Sequence, residues 1–117
     1  SPYPAWRREA GVAYWRTAGL DVVGTADVPT AAVGGRPDTR GIYELQSANA
    51  AAALAGLDTR DADVVLLSGT GMPSLALLRA RASGPPRLWS SNLCLAWRLH
   101  HHLDGWQPRP GAALLDL

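Results

Sequence analysis

In the run VVLLSGTGMPSL (64–75) a pure aliphatic stretch stops at Ser68, Gly69, Thr70 and Gly71, and a helical pattern opens at Pro73. Glycines let the backbone approach a ligand, free N–H groups and hydroxyls line such a turn, and the start of a helix favours an anion. A phosphate loop of the Walker type needs a Lys after its last Gly, and this chain has no Lys. The dinucleotide fingerprint fails as well, because GTGMPS supplies two of its three glycines. A carboxylate suits the turn better than a phosphate. The plain alternative is a tight strand-to-helix connection that binds nothing.

Other reactive residue types have structural readings. Cys94 falls inside a helical pattern and reads as a small buried hydrophobe, as free cysteines usually are. The consecutive His100, His101 and His102 invite a metal, but three neighbouring helical positions point in different directions, and histidines suit a helix C-terminus. No metal is expected there. Trp97, at helical spacing from Leu93 and Cys94, reads as core, and Ser90, Ser91 and Asn92 as helix caps with a secondary place at the rim of a crevice.

The elements that must position the turn follow from the apolar pattern. LDVVGTADV (20–28), DVVLLSG (63–69) and PRLWSS (86–91) read as strands covered on both faces, because their apolar runs are nearly continuous. Helices are expected from Pro4 to Ala18 with Gly19 as the stop, over the alanine run capped by Ser47 and closed by Gly56, from Pro73 to Ala82, and over LCLAWRLHHHL up to Gly105. Such alternation means βαβ units and an open parallel α/β sheet, with ligands in the crevice beyond the carboxyl ends of the strands. The connection 29–46 is long enough to be functional, and the Pro-rich tail after Gly105 ends in an apolar stretch that reads as a docking segment.

Composition bounds the rest. The chain has 117 residues, one domain's worth, and 47% hydrophobic content. Its eleven basic residues are all arginines, scattered and matched by ten acids, which argues against nucleic acid or a membrane surface as a partner. One cysteine permits no internal disulfide and fits a reducing compartment, and no run is long enough to span a bilayer, so a cytoplasmic location is expected.

Taken in order, four stretches resemble the Asp/Glu racemase superfamily, in particular its maleate isomerase and arylmalonate decarboxylase branch. SPYPAWRREAGVAYWRTAGLDVVG is similar to the branch's "TPY, helix, AGFEV" opening of the second half, and DTRGIYELQSANAAAALAGLDTRDADVVLLSGT to the stretch ending in "DADAVFLSCT". PPRLWSSNLCLAW resembles "PVLSSNQALLW", and RPGAALLDL stands where the branch has its "GxGRLF"-type end. The resemblance covers nearly the whole chain. It implies a flavodoxin-like half of a pseudo-symmetric two-domain fold, with the active site between the halves. The chain then reads as a fragment, the C-terminal half of a longer protein with its first strand missing; the alternative is a natural short protein completed by dimerisation.

The chemistry the resemblance implies is cofactor-independent isomerisation, racemisation or decarboxylation next to a carboxylate of a small dicarboxylic acid or substituted malonate, by a cysteine thiol. The second-half cysteine falls on Gly69, the main departure from the pattern. Tyr3 matches the family's active-site tyrosine, whose phenol can hydrogen-bond developing charge. Gly69, Thr70 and Gly71 match substrate-binding positions, and Asp38 falls near a polar, substrate-facing one. The partner is then the missing half or a second copy of the chain. The competing expectation is a carboxylate-binding module that lost its chemistry with the cysteine.

Overall fold

A computed structural model of the chain describes residues 1–30, 39–81 and 84–103. Pro4 and Gly19 bracket the first helix as their backbone preferences require. Helix α1 spans Ala5–Thr17 with Pro4 at its N-cap. Gly19, at φ 87°, donates to the Arg16 carbonyl at 3.0 Å and turns the chain out. No residue of α1 is buried, and Trp6 and Tyr14 lie largely in solvent.

The segment expected as a first strand, 20–28, is not one. A strand exists only through a hydrogen-bonded neighbour. After the bond from Leu20 N–H that closes α1, backbone pairing along this segment is, among the described residues, confined to Ser1, whose ammonium donates to the Ala26 carbonyl and whose carbonyl accepts from Val28 N–H at 2.8 Å. That is one rung of a parallel ladder, too little to order a strand. Arg8 of α1 pairs with Asp27 across the same junction.

The long connection carries a 3-10 helix over Thr39–Glu44, which buries Ile42. Helix α2 follows at Ser47–Ala55. Its N-cap is Gln46 rather than Ser47: the Gln46 N–H donates to Asn49 Oδ1 at 2.8 Å, and the Ser47 hydroxyl is bound elsewhere.

Strand β1, Val64–Leu67, and strand β2, Arg87–Ser90, pair in parallel with Val65 opposite Leu88 and Leu67 opposite Ser90. The fold is thus mixed α/β around a two-stranded parallel sheet. Coverage on both faces was expected from the apolar runs. Instead Val65, Leu67, Leu88 and Ser90 are buried on one face, while Val64, Leu66 and Trp89 on the other are half covered. Between the strands lies helix α3, Leu75–Ala80. It starts later than Pro73, which has no N–H to give and is followed by Ser74 at φ −127°, outside helical geometry.

Helix α4, Ser91–His102, leaves the end of β2 directly. Of the three caps expected, Ser90 is the one that acts: Ser90 Oγ accepts from Leu93 N–H at 3.1 Å, since only the residue before the first turn has the extended backbone a capping hydroxyl needs. Leu93, Leu54, Leu78 and Met72 join the buried sheet residues in one cluster, to which Val28, Ile42 and Leu45 also belong. Among the described residues no helix is long and apolar enough to cross a membrane.

Candidate functional site

Because β1 and β2 are parallel neighbours, their carboxyl ends release two connections on the same side of the sheet. One is the 68–74 turn and the other is the start of α4. Between them opens a cleft of about 690 Å³, lined among others by Ser47, Thr70, Gly71, Met72, Ser74 and Asn92. Its position is the one that parallel sheets offer to ligands.

The turn itself is tightly held. Met72 N–H donates to the Gly69 carbonyl at 3.2 Å, closing a four-residue turn, and Met72 is buried at its base. The N–H groups of Thr70 and Gly71 take no partner among the described residues, and Thr70 is exposed. Of the amides from Gly69 to Met72, only that of Met72 is spent inside the turn. The helix that was to add its dipole is corrected: α3 is six residues long and begins at Leu75, so it does not stand immediately behind the glycines.

At Gly69 itself the backbone disfavours a side chain. Its φ is 114°, a region that residues with a Cβ rarely adopt, and a Cβ there would come within 2.8 Å of Pro2 Cγ. A side chain at Gly69 is therefore strained, and Pro2 occupies the space its Cβ would need. Gly71 is held for another reason: a Cβ would lie 2.9 Å from Tyr43 Cε1 and 3.0 Å from Ile42 Cγ2, so the 3-10 helix packs directly on the turn.

Of the other sequence-designated residues, Tyr3 packs against the core beneath the Arg7 guanidinium, 5.4 Å from its ring centre, and is not among the residues lining the cleft. It follows Pro2, which lies on Gly69. Asp38 lies outside the described residues, as does the apolar tail. Cys94 is half-buried on α4, where burial raises its pKa above the ordinary thiol value. Its thiol is the less reactive for it. His100, His101 and His102 form the last turn of α4. Trp97 is half-buried, with its ring 4.2 Å from that of His101. Among the described residues no group of three His, Cys, Asp or Glu side chains could hold a metal ion.

Two side-chain bonds to the turn were not assigned from the sequence, although Asn92 was expected at the rim of the crevice. Asn92 Nδ2 donates to the Thr70 carbonyl at 2.9 Å, and Ser47 Oγ donates to the Pro73 carbonyl at 3.2 Å. Both cross from a helix to the turn over more than twenty residues of chain, a pairing no local pattern announces. Family models, curated proteins and solved structures give no match to this chain.

Proposed function

We propose that this chain is the carboxylate-binding half of a cofactor-independent enzyme of the maleate isomerase or arylmalonate decarboxylase type, a flavodoxin-like half of a pseudo-symmetric fold. The observation that carries the reading is the pair of unpartnered N–H groups, Thr70 and Gly71, on a cleft at the carboxyl ends of two parallel strands. Two adjacent amides and a threonine hydroxyl suit the oxygens of a carboxylate. A small dicarboxylic acid or substituted malonate would bind one carboxylate there. The reacting carbon would face a thiol from a second, cytoplasmic half of the protein or a second copy. Tyr3 keeps its proposed catalytic role on the motif match and on its place next to Pro2; Asp38 keeps a substrate-binding role on the motif match.

A second reading has its own support. Gly69 has no room for a Cβ, so the chemistry of a second-half cysteine is lost in the backbone and not only in the side chain. A carboxylate-binding module without turnover fits that geometry.

Titration with malonate and maleate, followed on the Thr70 and Gly71 amide resonances, tests what both readings share. Those two amides should shift at millimolar ligand. If they stay in place while a nucleotide moves them, the carboxylate assignment fails. Turnover separates the readings: the 117-residue chain alone is expected to convert neither maleate nor an arylmalonate. Activity that appears on adding the polypeptide bearing the thiol selects the enzyme.

A further inference from the structure

The two bonds that reach the turn from α2 and α4 have a consequence for its amides. A peptide unit is planar and trans, so the carbonyl of one residue and the N–H of the next point in opposite directions as one rigid body. Asn92 holds the Thr70 oxygen at 2.9 Å, and the N–H in that same peptide is the unpartnered one of Gly71. Ser47 holds the Pro73 oxygen at 3.2 Å, and so fixes the peptide that carries the Ser74 N–H, on the same cleft.

Without these bonds the turn has one internal hydrogen bond, from Met72 N–H to the Gly69 carbonyl, and glycines at two of its positions. Gly69 already lies in a region open mainly to glycine, and a flip of the Thr70–Gly71 peptide would exchange the faces of its carbonyl and N–H. A flipped peptide would present an oxygen, which repels a carboxylate, where the N–H had been.

We infer that Asn92 is a positioning residue for anion binding at this turn: its amide fixes the Thr70–Gly71 peptide with the Gly71 N–H free for a carboxylate oxygen. This rests on the carboxylate reading above. Ser47 plays the matching part for Ser74 at the other end of the turn. Neither side chain needs to touch the ligand.

Asn92→Ala and Ser47→Ala test this in the full chain with malonate as the probe. Asn92 is exposed and sits in the first turn of α4, where alanine is a good helix former, so the fold should survive. In the free protein, Asn92→Ala should shift the Gly71 amide resonance, and Ser47→Ala should shift that of Ser74 while leaving Gly71 in place. The malonate Kd of Asn92→Ala should rise roughly three- to tenfold, the worth of one hydrogen bond, with little change in the urea midpoint. An unmoved Gly71 amide together with an unchanged Kd overturns the inference, as does a Kd that rises only in step with a loss of stability. If wild-type protein binds no malonate, the carboxylate reading falls and the role in anion binding with it; a Gly71 amide that still moves in Asn92→Ala would leave Asn92 as the holder of the peptide alone.

Discussion

Residues 64–103 and residues 1–29 are built from equally strong local signals and end in opposite conditions. In the first stretch, β1, α3, β2 and α4 share one buried cluster, with Leu78 3% exposed and Leu88 6%. In the second, α1 has a proline start and a glycine stop but buries nothing, and Tyr14 is 65% exposed. Propensity and capping suffice to write a helix; only a neighbouring apolar surface gives it tertiary stability. The N-terminal stretch is tied down at its ends, by the Ser1 rung, by Arg8 with Asp27, by buried Val28, and by Pro2 on Gly69.

The sharpest test of this contrast is a pair of truncations. Leu78→Ala, in the packed region, should cost about 2–5 kcal/mol of stability through lost burial and an unfilled cavity. Tyr14→Ala should stay within about 0.5 kcal/mol, because the ring has few contacts to lose. Urea unfolding of both variants measures the difference. A loss at Tyr14 as large as that at Leu78 would mean that α1 is covered in solution, and the two regions would no longer differ.

Gly69 is where the regions meet, and a smaller effect is expected there. Gly69→Ala must either hold a Cβ at φ 114° or rebuild the turn, at a cost of about 1–3 kcal/mol, and it must push Pro2 aside. Gly69→Cys carries the same strain, so a thiol placed there also has to displace Pro2. Thermal or urea unfolding of Gly69→Ala checks the magnitude, and the amide resonances of residues 1–3 and 26–28 show whether the N-terminal rung leaves with Pro2. A stable Gly69→Ala with its rung intact would show that the turn accepts a side chain and would reopen the position to catalysis.

Much of the packed region could be read from the chain alone, for physical reasons that also mark the limit. The aliphatic run at 64–67 and the glycine-rich turn after it locate β1 and the cleft, since a buried strand can have almost no other composition. The helix limits at Gly19 and Gly56 were legible because glycine suits a helix end. What failed depends on partners far along the chain. The 20–28 segment has a strand's composition but one backbone rung to pair with. Ser47 looks like a cap until its hydroxyl is seen to serve Pro73, and Asn92 looks like one until its amide is seen on Thr70. The left-handed backbone at Gly69 is invisible too, because glycine occupies ordinary conformations just as readily.

Cys94 gives the finest measure of how far the packed region extends. It lies on α4 one position after buried Leu93, and burial raises its pKa. A thiol whose folded pKa is raised loses its proton first in the unfolded chain. Its contribution to stability is therefore fully present below the ordinary thiol value of about 8.5, and is lost as pH rises through that value toward the folded one. Alkylation by iodoacetamide should accordingly be slower in the native protein than in urea at the same pH, and the native rate should climb only at higher pH. Replacing Cys94 with Ala should flatten the alkaline fall in stability and leave malonate binding at the turn unchanged. A native thiol that titrates at the ordinary value would place this face of α4 in solvent, as bare as α1. One that titrates below it would make Cys94 a reactive nucleophile and move the chemistry from the turn to the helix.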